Sequence, residues 1–434
     1  MQNLAGGFME EGSRRPASAF ACDMTSQPMR ADATVTKKAS GASLRGLDWF
    51  AFFVADIQTG WGPFVAAYLT SVGWLQFDIG LILTIGTLAT FALQVPVGAL
   101  VDWVSGKRLL AALAVLSISA SAFLLAVSPT FGTAVIAKLL HAAASCLLGP
   151  TLAAISLGLV GHAFLGERLG RNARFLALGN AIAAGVMGLI GQLFSNRAIF
   201  FFTAALGVPS LWALAQIRSD DIDPALARGG VVEKGASSDA IRTMARNRPL
   251  LIFAGAVFLF QLANAAALPI MAGLLTNRLP QSATLILAIC ILLPQFVVAA
   301  IAPAVGRQAQ TWGRRPLLLL CFVALAIRCA LFAVTSEPSL VVAVQLLDGI
   351  SAASLGVLVP LVLADVMRGS GHYNLAQGVV GAAVGIGASL STAIAGYIAD
   401  RLGSASAFMF LTAAGAAGLV LVVALMPETK DGRH

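Results

Sequence analysis

Charge is scarce in this sequence. Only 11% of the 434 residues are charged, against 58% hydrophobic, and the mean hydropathy is +0.86. A water-soluble domain of this length needs more charge to coat its surface, so that class is excluded. Cysteine is sparse as well. Of Cys22, Cys146, Cys290, Cys321 and Cys329, four lie inside apolar runs and none has metal-ligand spacing. They read as small hydrophobes, with no metal site and no disulfide framework. The sequence has no HExxH, no GxSxG and no phosphate-binding Gly-Lys loop, which leaves a membrane enzyme without a nucleophile or metal motif. No cofactor is expected. Residues 1–45 lack the apolar core of a signal peptide and read as a disordered cytoplasmic tail.

What the sequence has is apolar runs of about 20 residues, each long enough to cross a ~30 Å hydrocarbon layer. They fall near 48–71, 78–100, 109–128, 132–161, 174–194, 198–217, 249–275, 282–305, 316–334, 338–366, 375–399 and 404–426. The expectation is an all-α membrane protein of twelve transmembrane helices. It divides into a six-helix bundle over 46–217, a cytoplasmic central loop over 218–248, a second six-helix bundle over 249–426 and a cytoplasmic tail over 427–434. Within the loop, 238–248 reads as a short helix on the membrane surface.

The net charge of +8 sits in short loops between apolar runs, where membrane orientation explains it. No folded domain is left to carry a nucleic-acid role. With both termini in the cytoplasm, 23 Lys and Arg fall inside and three outside. Prolines such as Pro63, Pro96, Pro150, Pro294 and Pro360 are expected to kink their spans.

The two halves repeat. Pro63 matches Pro269, Gly98 matches Gly306, and Lys138-Leu139-Leu140-His141 matches Gln345-Leu346-Leu347-Asp348, at shifts of 206 to 208. Six spans per half keep both halves in one orientation, as parallel repeats around a central cavity. After the second span the chain reads Gly98, Asp102, Gly106, Lys107, Arg108. After the eighth it reads Gly306, Gln310, Gly313, Arg314, Arg315. The glycine allows close helix approach, the second glycine turns the chain, and the bases hold the loop inside. An acid here can meet a base or a helix N-terminus and close a gate.

With this paired loop, and with Gly396–Gly403 and Pro427–Lys430, the chain resembles the major facilitator superfamily over roughly 46–430. It departs from the family pattern at Gln310, where Asp is common, at Trp103 and Ser105, and at Lys138, where Arg is common. Its fifth span has Gly185, Gly188 and Gly191 without the Gly-Pro pair of many drug/proton antiporters. The resemblance implies a multi-pass transporter in the bacterial inner membrane, and that the first, fourth, seventh and tenth spans line the cavity.

Those four spans carry the buried polar residues: Asp56 and Gln58, Lys138 and His141, Gln261 and Asn264, Gln345 and Asp348. A charge at mid-membrane is costly unless paired or wet. One reading makes Asp56, Asp348 and His141 proton carriers, with Gln58, Lys138, Gln261, Asn264 and Gln345 around the substrate. The other makes Asp56 a fixed partner of Lys138, Asp348 the cap of a kinked segment, and His141 an interhelical hydrogen-bond former. Arg328, in the ninth span, is expected to snorkel outward or pair locally. Glu167-Arg168 and Asn172, matched by Asp365, Arg368 and Asn374, form either solvated turns or a salt-bridge latch between the halves.

The function expected is secondary transport of a small organic solute with protons as partner, by a monomer in the bilayer. Export is favoured over uptake, since the cavity spans combine acids with small apolar residues. Few aromatics line them, which disfavours a sugar. Uptake of a metabolite and a transporter-like sensor are the alternatives.

Overall fold

A computed structural model describes residues 39–59, 61, 63–230, 240–278, 283–335 and 337–430. The tail to residue 38, Ser238, Asp239 and the last four residues lie outside them. The chain from Lys37 to His434 groups as one unit; the other, Met1–Thr36, is wholly outside the described residues.

Every regular element among the described residues is helical. The α-helices are α1 (Gly41–Thr59), α2 (Pro63–Ser71), α3 (Gln76–Trp103), α4 (Lys107–Val127), α5 (Phe131–Leu193), α6 (Asn196–Ala205), α7 (Gly207–Ala215), α8 (Ala240–Arg246), α9 (Arg248–Asn264), α10 (Ala267–Arg278), α11 (Ala283–Thr311), α12 (Arg315–Val334), α13 (Pro338–Val366), α14 (Tyr373–Leu402) and α15 (Ser404–Leu425). Among the described residues ten helices are long and apolar enough to cross a membrane, with α6–α7 and α9–α10 each counted as one. Helices suit a medium without water because each segment satisfies its own backbone groups. Hydroxyls that fall on these spans bond back to the preceding turn: Thr84 to Gly80 O at 2.8 Å, Thr90 to Gly86 O at 2.9 Å, Thr203 to Ile199 O at 2.8 Å. Large side chains such as Leu88, Phe194, Val208 and Val334 are more than half exposed, as lipid-facing residues are.

Helix starts follow local chemistry. Thr130 and Thr133 cap α5 reciprocally, Ser195 caps α6 through Ala198 N–H at 3.1 Å, and Asn247 caps α9 through Leu250 N–H at 3.1 Å. The break between α9 and α10 frees the N–H of Ala266, which donates to Ser391 Oγ at 3.1 Å.

The longest element, α5, is two passes. Gly161 has φ 65° and ψ 178°, a left-handed, non-helical conformation that favours glycine. Asn172 Nδ2 donates to Ser156 Oγ at 2.7 Å, sixteen residues away in sequence. In an unbroken helix those residues would stand about 24 Å apart, so the chain reverses at Gly161. This corrects the expected turn at 166–172, which is helical: the reversal comes earlier and takes one glycine.

Two apolar cores form. One is built from α1 to α7 with Ile222 and Ala227; the other from α8 to α15 with Ala153 to Ala177 of α5. The central stretch is not merely a solvated loop. Asp221 accepts from the hydroxyls of Ser40 and Ser43, both at 2.7 Å, and Asp223 N–H donates to Gly158 O at 3.0 Å.

Candidate functional site: a helix-crossing gate and a buried polar centre

The paired loop motif lies where helices of the two expected bundles, 46–217 and 249–426, cross. At the end of α3, a Cβ on Gly98 would stand 2.5 Å from the carbonyl oxygen of Asn374, at the start of α14. One turn along, Gly378 presses equally close on Gln94 O. In the second crossing Gly170 of α5 lies as close to Ala302 O of α11, and Gly306 faces the backbone of Gly166. Positions 94, 98, 166 and 170 correspond to 302, 306, 374 and 378, each 208 apart. Only glycine lets backbones touch this way.

The acid of the motif is specific to one crossing. Asp102 is 7% exposed. Its Oδ1 accepts from Asn374 N–H at 3.1 Å and Asn374 Nδ2 at 2.8 Å, and its Oδ2 accepts from Leu375 N–H at 2.7 Å. These are free N–H groups of the first turn of α14, where a negative charge is stabilised. Asn374 Nδ2 also reaches Ala227 O at 3.1 Å, and Gly369 N–H donates to Gly229 O at 2.5 Å. The stretch after α7 thus joins the crossing. At the matching place Gln310 faces Gly166, whose N–H lies past the first four of its helix.

The bases act locally. Lys107 Nζ donates to Val101 O, and to Val104 O at 2.8 Å; Arg314 Nη1 donates to Ala309 O at 2.5 Å. Each fastens onto the last carbonyls of the preceding helix, where positive charge is favoured. Arg314 also pairs with Asp365 at 2.8 Å, and Glu428 accepts from the backbone N–H groups of Arg314 and Arg315 at 2.8 and 3.0 Å. Arg168 pairs with Asp48, as does Arg171 at 2.6 Å, and Arg168 Nε donates to Asn172 at 2.8 Å. Asp48 was not singled out in the sequence; two bases one turn apart were the available signal. Each ion pair joins residues within one expected bundle. They staple helices inside a bundle, so among the described residues they form neither the solvated turns nor the latch between bundles that the sequence left open.

Deeper in the bilayer the expected residues form separate groups. Asp348 is ion-paired with Arg328, whose Nη1 also donates to Asn264 Oδ1 at 2.8 Å; Gln345 Nε2 lies 3.3 Å from Asp348 Oδ2. Arg328 is 1% exposed, so of the two outcomes expected for it, it pairs and does not snorkel. Its signal was available: a guanidinium in an apolar run calls for a buried acid. In the other core, His141 stacks on Trp61 with centroids 4.5 Å apart and bonds to Ser145 Oγ at 3.1 Å; Lys138 Nζ stands 5.6 Å from the same indole. Lys138 runs across Gly86 of α3, where a Cβ would collide with its methylenes. Trp61, between α1 and α2, was not anticipated.

Asp56 stands apart. It is 4% exposed, its Oδ1 is buried without a hydrogen-bond partner, and it belongs to none of the ion pairs of the described residues. The Asp56–Lys138 staple is therefore not formed. Gln58 and Gln261 are half-buried, and a Cβ on Gly387 would stand 3.1 Å from Gln261 Cβ. No cluster of three or more potential metal ligands occurs among the described residues.

Known proteins share this fold. Residues 49–302 and 253–434 match the Major Facilitator Superfamily. An MFS-type transporter of Mycobacterium tuberculosis, MT2531 in one strain and Rv2456c in another, is 38% identical over 391 residues, covering 89% of this chain and 94% of the relative. Among solved structures, the E. coli fucose:proton symporter FucP superposes with a TM-score of 0.67 at 14% identity, covering 88% of this chain and 97% of that one. The human organic anion transporter MFSD10 gives 0.63 and the nucleoside transporter NupG 0.62, both at 14% identity, each over 88% of this chain and 98% and 100% of theirs. At that identity they speak for the fold alone. With the family matched along nearly its whole length, the chain belongs to the major facilitator superfamily of membrane transporters.

Proposed function

We propose that this protein is a proton-coupled secondary transporter that exports a small organic solute by alternating access. In this reading twelve spans form two parallel six-helix repeats that rock about a central cavity in the bacterial inner membrane, with both termini in the cytoplasm. The 208-residue correspondence of the two glycine crossings supports the repeat. The named contacts between the bundles cluster at the motif ends of α3, α5, α11 and α14, which supports a gate closed on the expected cytoplasmic side.

The observation that carries proton coupling is the contrast between the two mid-membrane acids. Asp348 has a guanidinium partner; Asp56 has none. An unpartnered buried carboxyl is stable only when neutral, and it ionises when the cavity around it opens to water. Asp56 therefore takes the proton role, while Asp348 and Arg328 hold α12 against α13. Gln58, Lys138, Gln261, Asn264 and Gln345 remain the residues facing the solute, and His141, stacked on Trp61, remains the second proton carrier. Small apolar residues between these polar groups suit an amphipathic solute, which favours export.

The test is a growth screen against toxic compounds in a bacterial host stripped of its exporters, comparing wild type with Asp56→Asn at matched membrane abundance. Wild type should protect and Asp56→Asn should not. Equal protection by Asp56→Asn removes the proton role. Protection by neither removes export and directs the search to uptake. Asp348→Asn should instead lower abundance, because breaking a buried pair costs ~3–5 kcal/mol; combining it with Arg328→Met should restore it.

A further inference from the structure

A groove of about 350 Å³ lies between α4 and α7, lined by Arg108, Leu109, Ala112, Leu211, Leu214 and Ala215. This volume is within the range of small-ligand sites. It shares no lining residue with the polar centre. Five of its six lining residues are apolar, and the faces around it are lipid-facing: Leu109 and Trp212 are each 61% exposed, Leu116 50%. Arg108, in the first turn of α4, stands at the groove's motif end. Its Nη1 donates to Ser219 Oγ at 2.8 Å, its Nε is buried without a partner, and it belongs to none of the ion pairs of the described residues. Trp103, 81% exposed, precedes it by five residues, and Trp212 lies on the opposite wall. Exposed tryptophans mark the level of lipid headgroups.

An uncompensated guanidinium at headgroup level, over an apolar trench that runs into the bilayer, matches one class of molecule in both parts. We propose that this groove binds one phospholipid with an anionic headgroup, drawn from the leaflet at the motif end. Arg108 holds the phosphate, and an acyl chain lies along Leu109, Ala112, Leu211, Leu214 and Ala215. Basic pockets between membrane helices recognise anionic headgroups in this way. A free phosphate ion would have no use for the trench, and a zwitterionic lipid, though it also offers a phosphate, would bring its own ammonium as a second positive charge beside Arg108.

The full chain, released from nanodiscs of mixed phosphatidylethanolamine and phosphatidylglycerol, is examined by native mass spectrometry for retained lipid. Wild type should retain phosphatidylglycerol in preference. Arg108→Gln should cut that preference about fivefold, the worth of one basic residue at an anionic surface, while Arg108→Lys keeps most of it. Ala112→Leu with Ala215→Leu fills the trench, leaves the guanidinium in place, and should lower retention of both lipids. Melting temperatures establish that each variant is folded. The proposal is overturned if wild type shows no preference, if folded Arg108→Gln and trench-filled variants retain lipid as wild type does, or if inorganic phosphate displaces the lipid completely.

Discussion

The two helix crossings of the proposed gate are alike in backbone and unlike in charge. At both, a pair of glycines one turn apart brings two helices into backbone contact. Only at the first does a carboxylate, Asp102, receive the free N–H groups of the opposing helix. The difference follows from where the opposing helix begins. Asn374 and Leu375 are in the opening turn of α14, which starts at Tyr373. At the second crossing the helix has already run from Gly161 when it reaches Gly166, and its N–H groups are spent. An acid at position 310 would meet no free N–H of the opposing helix, only Arg314 of its own loop, whose Nη1 donates to Gln310 Oε1 at 3.5 Å. Close packing is therefore a property of both crossings, and electrostatic closure of one.

Neutralising Asp102 is the change expected to act most strongly on this comparison. Hydrogen bonds to a charged acceptor contribute ~1.5–3 kcal/mol, so Asp102→Asn should lower the closed-gate population by roughly ten- to a hundredfold. Spin labels at Ser105 and Ser370 should report a longer distance; an unchanged distance would remove Asp102 as the closing group. Next in size, Gly98→Val and Gly306→Val should impair closure to similar degrees, by ~1–3 kcal/mol of overpacking. Unequal losses would mean the crossings are not equivalent in backbone. Gln310→Asp should change the same distance little and should not rescue Asp102→Asn; rescue would break the comparison.

The smallest effect concerns His372, which immediately precedes α14. Burial holds its imidazole below its ordinary value of about 6.5. The folded gate thus prefers neutral His372. Its contribution is present above that value and is lost as pH falls below it, where a charged imidazole would oppose the helix N-terminus. Gate closure should weaken slightly on acidification, and His372→Gln should flatten that slope.

Much of this was legible in the sequence. The tenth span, expected over 338–366, coincides with α13, and the glycines and acid of the first loop were visible as a motif. Uniform apolarity marks spans well because lipid demands it. What hydropathy misses is pairing and reversal. Glu167, Arg168 and Arg171 resembled a loop because their charges appear unsolvated in an apolar run; Arg168 and Arg171 are neutralised by Asp48, more than a hundred residues earlier. Arg328 seemed peripheral because its span is, yet Asp348 draws it inward. The break between α1 and α2 fits Gly60-Trp61-Gly62-Pro63, but that Trp61 would sit beneath His141 and Lys138 depended on tertiary contacts.

The cap on α12 has a consequence in time. Glu428 closes the start of that helix from 113 to 114 residues downstream. At ribosomal speeds of 5–20 residues per second, roughly 6 to 23 s pass between making the helix start and making its cap. During that interval the leading amides of α12 lack the carboxylate that closes them in the finished structure. The start of α12 therefore receives this cap only after translation has passed the last span of the second core.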